Sequence, residues 1–261
     1  MDTIYSNDER IACSVKEVTP EAVKFSYPNE ELVNSVFKNT IQKIIFKSGR
    51  VQIFAEATYF KTVNSVDDYE NVSLSHVYTE VQGLYKIGEV GSKARGTTAL
   101  SNMEKVKERA ERKVKMQAAM LGANVIYLTQ FGTSQGHMGT QYSPGVATAT
   151  NMSGVAYCNK LPSYDGFTNL MNSKMQFMMK VYEVDKLGSS DYEYSKFADS
   201  SKVIINKVTN DNGFIMLEAS IASFDNTSFR VIFFSNSEMI LECTDTSDIT
   251  ENAIYNIRVR I

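Results

Sequence analysis

Residues 101–122 admit one conformation, and it constrains everything around them. Met103, Val106, Ala110, Val114, Gln117/Ala118 and Leu121 recur at spacings of three and four, the narrow apolar stripe of an α-helix. Lys105, Lys107, Arg109, Arg112, Lys113 and Lys115 form the opposite face, relieved by Glu108 and Glu111. Ser101 and Glu104 match a capping box, in which each side chain satisfies an orphan backbone N–H. Gly122 stands where a left-handed residue ends a helix. The stripe is rich in small residues, so this helix is expected to pack closely on a sheet. Its neighbours supply one: a Gly-punctuated apolar strand before it, then residues 124–131 and 152–158 after it.

The flanks read as β-structure. Ile11, Cys13 and Val15 alternate with polar residues, as do Val23, Phe25 and Tyr27, with a turn at Thr19-Pro20-Glu21. Ser48-Gly49 predicts a hairpin between residues 41–47 and 50–54. Five short strands in residues 3–62 suggest a small curled sheet or partial barrel. Residues 63–75 lose the periodicity and read as a linker. A helical turn is expected over 165–173 and a buried strand over 175–184, while 186–200 is polar. A meander then runs through 202–208, 213–222, 228–234, 238–244 and 252–261. Its clear turns are Asn210-Asp211-Asn212-Gly213 and Asp225-Asn226-Thr227. The last strand alternates Ala253, Tyr255, Ile257, Val259 and Ile261 with Asn256, Arg258 and Arg260, predicting one buried and one wet face. The fold class is therefore α+β: a small N-terminal β domain (1–62), a linker (63–75), a central α/β domain with one long helix on a small sheet (76–162), and a C-terminal antiparallel β domain (163–261).

Composition excludes membrane spans, since no run approaches about 18 apolar residues. Cys13, Cys158 and Cys243 are far apart and odd in number, so they are read as buried thiols. Charge is uneven. Residues 1–77 carry 8 lysines and arginines against 11 acids, 78–160 carry 10 against 5, and 161–261 carry 9 against 14. A basic middle between acidic flanks fits either an acidic partner or docking of the flanks on the middle.

Catalytic constellations are scarce. Gly132-Thr133-Ser134-Gln135-Gly136 matches G-x-S-x-G, but Gly and Pro break the segment after it, and no histidine lies downstream except the adjacent His137. His137, Met138 and Cys158 are poorly spaced for zinc. Met171, Met175, Met178 and Met179 suit Cu(I) by chemistry but read as core filling. Gly88, Gly91 and Gly96, beside Lys93 and Arg95, could hold an anion near the helix start, though five residues separate Gly96 from Ser101. No metal and no cofactor is expected.

Three stretches carry a resemblance: Val81-Gln82-Gly83-Leu84 with Gly88-Glu89-Val90; the helix end Ala118 to Leu121 running through Gly122-Ala123-Asn124 into Val125-Ile126; and Gly154-Val155-Ala156-Tyr157. Together they resemble the small α/β module of the Rcs-pathway outer-membrane sensor lipoprotein family and, more distantly, the YbjQ-like family. The resemblance implies a helix on a small sheet, with the Gly-Ala-Asn turn leading into the next strand. Cys158 is the only cysteine in the matching region, so the sensor's disulfide chemistry does not carry over. Residues 2–49 are similar to the start of exported Bacteroides-type proteins after signal cleavage. Neither resemblance implies catalysis.

The expected function is that of a non-enzymatic, exported cell-envelope protein acting as scaffold or sensor through protein contacts. It would be periplasmic or outer-membrane-associated if Met1 replaces a removed signal, and cytoplasmic if Met1 is native. One alternative is a small-ligand module with the 132–150 loop as lid and Ser134, His137 and Tyr142 as polar contacts. Another is binding of RNA or anionic lipid by Lys105, Arg109 and Arg112. Nucleic acid is not the expected partner, because no aromatics interleave with that basic face. Homo-oligomerisation is expected as a way to cover β edges.

Overall fold

Six short strands open the chain: β1 (Asp2–Ser6), β2 (Glu9–Val18), β3 (Ala22–Ser26), β4 (Asn34–Phe37), β5 (Ile41–Ile45) and β6 (Val51–Ile53). In the computed structural model they form one antiparallel sheet, β4-β3-β2-β1-β5-β6. The structure describes residues 1–6, 9–54, 60–173, 179–188, 192–222, 224–245 and 253–261. Alternation sends Ile4, Cys13, Val23, Phe25, Ile41 and Ile44 to one buried face. Gly49 takes the left-handed conformation (φ 84°) that the β5–β6 hairpin requires. The Asn39 amide donates to the carbonyls of Glu80 (3.0 Å) and Gln82 (2.7 Å), fixing this sheet to the next segment.

The middle of the chain contains β7 (Ser73–Ser75), β8 (Tyr85–Arg95), α1 (Met103–Met120), β9 (Val125–Ser134) and β10 (Ala149–Cys158). The sheet order is β7-β9-β10-β8, with β7 parallel to β9 and the other pairs antiparallel. Val114 and the small residues Ala110 and Ala118 of α1 let it lie close on Val90, Ile126, Met152 and Ala156. Ser92 Oγ donates to the Ala110 carbonyl at 2.7 Å, tying β8 to the helix.

Two expectations about this helix need correction. The cap is Asn102, whose Oδ1 accepts from Lys105 N (3.2 Å); Ser101 Oγ instead accepts from Thr98 N (3.0 Å) in the preceding turn. Asn caps as well as Ser, so the backbone could start the helix one residue later. The buried surface is also wider than one stripe. Met103 is exposed, Ala119 joins the sheet-facing core, and Met116 and Met120 are buried on a second face with Val66 and Leu187.

The segment expected to be a linker is ordered structure. Residues 66–71 form a 3-10 turn begun by Ser65, whose hydroxyl accepts from Asp67 N, and Val66 and Val72 are buried on either side of it. Two apolar anchors six residues apart leave no periodicity to read.

The last hundred residues contain α2 (Tyr164–Ser173), β11 (Lys180–Leu187), β12 (Tyr192–Asp211), β13 (Phe214–Ile221), β14 (Ser228–Phe234), β15 (Glu238–Asp245) and β16 (Ala253–Arg260). The six strands form a closed antiparallel barrel, sealed by β11 against β16. Asn212 and Gly213 both have positive φ in the β12–β13 hairpin, and Asn210 Oδ1 accepts from Gly213 N (2.8 Å). Phe167 of α2 enters the barrel core with Val181, Leu217, Phe229 and Leu241. Met179 is buried there and Met171 packs beside it, as core residues; Met175 and Met178 lie outside the described residues. Within the polar stretch, residues 186–187 and 192–200 are strand, with Glu193 and Tyr194 paired to Lys186 and Asp185 of β11.

Cys13, Cys158 and Cys243 are buried and in no disulfide. Burial, with Asp2 nearby, pushes the Cys13 thiol up to about 11, and burial also raises Cys158. The native chain is therefore expected to resist a thiol-titrating reagent at mildly alkaline pH and to release all three thiols on denaturation. Rapid labelling of Cys13 in the native protein would contradict this.

Candidate functional site

The segment 132–150 is a folded arm, not an irregular loop. β9 runs out to Ser134 and β10 starts at Ala149, and the hairpin continues through bridges His137–Val146 and Thr140–Ser143. Its glycines serve close packing: a Cβ on Gly136 would lie 2.7 Å from the Ala99 Cα, and one on Gly139 would lie 2.8 Å from Gly145 N. The Gly96 N–H donates to the Thr148 carbonyl at 2.7 Å, so the residues before α1 buttress the arm.

The predicted ligand contacts all sit on this arm, but they do not converge. Ser134 Oγ donates to the Ala149 carbonyl (3.4 Å), His137 Nδ1 lies 3.3 Å from the Met138 carbonyl, and Tyr142 is 93% exposed. None of them lines either of the two large cavities beside the barrel. Around them is an apolar surface: Leu100, Phe131, Met138 and Val146 are exposed.

The basic helix face is partly committed to the chain itself. Arg109 donates to the Arg95 carbonyl (2.8 Å) and the Arg112 guanidinium lies over the Tyr69 ring (5.5 Å to its centre), whereas Lys105 is exposed. Two of the three glycines expected to hold an anion have their donors occupied: Gly91 N–H reaches Gln117 Oε1 (2.9 Å) and Gly96 N–H is bound to Thr148. Among the described residues, no group of three or more His, Cys, Asp or Glu side chains could hold a metal ion.

The seam between α1 and the barrel holds features that spacing did not reveal. The polar face of β16, expected to be wet, is exposed at Arg260 but covered at Asn256, which meets the end of the central helix. Asn256 donates to the Met120 carbonyl (2.8 Å), and Arg230 donates to the Leu121 carbonyl (3.0 Å). Both partners are orphan acceptors at the helix C-terminus, where a cation also meets the negative end of the helix dipole. Arg230 is balanced by Glu242 at 3.1 Å.

Alongside, Arg258 meets three carboxylates: Asp67 at 2.6 Å, Asp185 at 3.3 Å and Glu183 at 3.4 Å. Tyr192 donates to Asp185 (2.6 Å) and Tyr194 to Glu183. Burial raises the Asp185 carboxyl above its ordinary range, against the lowering pull of the Tyr192 bond and Arg258. Burial works against the Arg258 charge, but Asp67 and the neighbouring acids hold it firmly protonated. Burial, followed by the bond to Glu238, pushes Tyr182 up to about 12. This arrangement holds the 3-10 turn to the barrel; it is a latch by geometry.

Two cavities flank Arg230 along the seam. One, of about 580 Å³, is bordered by Glu89, Gln117, Glu242 and Thr244. The other, of about 460 Å³, has Phe60, Val63, Leu161, Phe214, Ile232 and Phe234 in its wall. Asn124, 3% exposed, also lines it; its amide donates to Asn159 Oδ1 (2.6 Å), and its own Oδ1 has no hydrogen-bond partner. The wall is drawn from residues 60–64, 87, 121–124, 158–163, 214 and 230–234, segments that share no motif. Asn124 alone stands out in the sequence, through its Gly-Ala-Asn turn.

A scan against protein-family models and searches of curated proteins and of solved structures gave no match to this chain.

Proposed function

We propose that this chain is a non-enzymatic scaffold or sensor of the cell envelope that works through protein contacts, and that the outer edge of β9 with its arm is the contact element. The observation that carries the reading is an open strand edge. β7 covers only Val125, Ile126 and Tyr127 of β9, and from Leu128 to Ser134 that edge has no strand partner among the described residues. Phe131 on this edge is 47% exposed, and the arm beyond it adds Met138, Tyr142 and Val146. An exposed apolar edge is a template for pairing. A second copy is the first partner, because two identical edges pair antiparallel about a two-fold and cover each other. The resemblance to the YbjQ-like family, where such modules assemble into rings, supports the same direction, and the resemblance to exported proteins supports the envelope setting.

Sedimentation velocity over a wide dilution series tests the reading. The wild type is expected to associate, and the Phe131→Glu/Tyr142→Ser variant to stay monomeric at the same concentrations with an unchanged thermal midpoint. Both positions are exposed, and the new glutamates would face each other across the two-fold. A wild type that is monomeric throughout, or a variant that associates as well as the wild type, overturns the assignment.

A further inference from the structure

We propose that the 460 Å³ cavity between the central sheet and the barrel binds a small amphipathic carboxylate, its apolar body among Phe60, Val63, Phe214 and Phe234 and its head group toward Lys160. The proposal is independent of the β9 edge and its arm. They lie at the other end of β10, ten residues or roughly 30 Å of strand from Cys158 in the cavity wall.

Size and lining point to a small molecule. Cavities of about 300–1,000 Å³, mostly apolar with a few polar groups, are the usual form of such sites. Here aromatic and aliphatic side chains share the wall with Thr62, Asn64, Asn124, Asn159, Lys160 and Ser163. Charge then selects the head group. The cavity is lined by two cations, Lys160 and Arg230, and by no acid. Arg230 is already matched by Glu242 from the neighbouring cavity. Lys160 is exposed and has no acidic neighbour in the wall. An anion of single charge therefore completes the balance, and a cation is disfavoured.

The Asn124 amide donates to Asn159 Oδ1 (2.6 Å) and its own Oδ1 is enclosed by the chain, so Lys160, and not this amide, is the group that meets the carboxylate. The body of the ligand is apolar in either of two forms, a medium-length acyl chain or an aromatic ring system. The wall chemistry accommodates both.

Isothermal titration of the full chain with decanoate and with 2-naphthoate, each beside its neutral primary amide, tests the inference and separates the two forms. At least one acid is expected to bind saturably at one site per chain, about tenfold or more tighter than its amide. Lys160→Met is expected to remove most of that preference while leaving the amide unaffected. Thr62→Trp, at an exposed lining position, is expected to abolish binding by filling the entrance. Circular dichroism of both variants should match the wild type. The proposal is overturned if neither acid binds, if the amides bind as tightly as the acids, or if a folded Thr62→Trp variant binds unchanged.

Discussion

Replacing Arg258 with methionine is expected to destabilise the folded chain by about 3–5 kcal/mol at neutral pH, the usual cost of removing one partner from a buried ion pair. The size is set by the groups left behind. Asp185 is fully buried and the Glu183 side chain is 12% exposed, so both would lose the cation they are paired with. Asp67, 68% exposed, would be solvated by water and contributes little to the deficit. The pH dependence has a definite sign. The folded Asp185 carboxyl titrates above its ordinary value, so between the two values the folded chain holds more protons than the unfolded chain. Stability from this group therefore falls as pH rises through that window and is regained as pH drops. Without Arg258 the carboxyl rises further. The deficit of the variant should accordingly be greatest near neutrality and should shrink on acidification. Adding Asp185→Asn, which keeps an acceptor for Tyr192, should recover part of the loss. Urea unfolding at neutral and acidic pH measures all three effects. A deficit below about 1 kcal/mol, or one that grows in acid, would show that the latch carries no stability of its own.

Much of the secondary structure could be read from local sequence, because it is set by local chemistry. Gly49 and the Asn212-Gly213 pair force their hairpins through positive φ, and the α1 stripe declares its period. The β-rich, mixed character with several sheets follows from the same patterns. The seam was hidden because it depends on pairing between distant residues. Asn256 and Arg258 read as solvent-facing until the C-terminal carbonyl of Met120 and the carboxylate of Asp67 are placed against them. Residues 192–196 read only as polar because their strand is held by polar cross-strand partners, with Tyr192 bonded to Asp185. The arm looked flexible for the opposite reason: its glycines permit close backbone approach, and composition does not distinguish that from freedom. Ser134, His137 and Tyr142 stand out for their polar chemistry on a long Gly-rich segment, yet the cavity is assembled from short, mostly apolar pieces of six segments. Closure of the barrel was equally out of reach, since the Val184–Ile257 register joins residues more than seventy positions apart.

Truncating Phe167 to alanine is expected to cost about 3–5 kcal/mol, the range for deleting a large aromatic side chain from a core. Phe167 is the one fully buried residue of α2, and that helix is attached to the barrel through it, with Tyr164 and Met171 packing beside it at spacings of three and four. Its ring meets Phe234 edge-on at 5.3 Å between centres. Phe234 faces two ways, being packed against the barrel core and set in the wall of the carboxylate cavity. Removing Phe167 therefore does more than leave a void: it lets Phe234 relax toward the barrel, and the cavity loses one side of its apolar wall. The variant should show a lower denaturation midpoint and, while still folded, weaker binding of whichever acid the wild type prefers. Phe167→Leu should restore most of the stability because it refills much of the space. If Phe167→Ala unfolds with a loss under about 1 kcal/mol, α2 is peripheral to the barrel and the coupling through Phe234 does not exist.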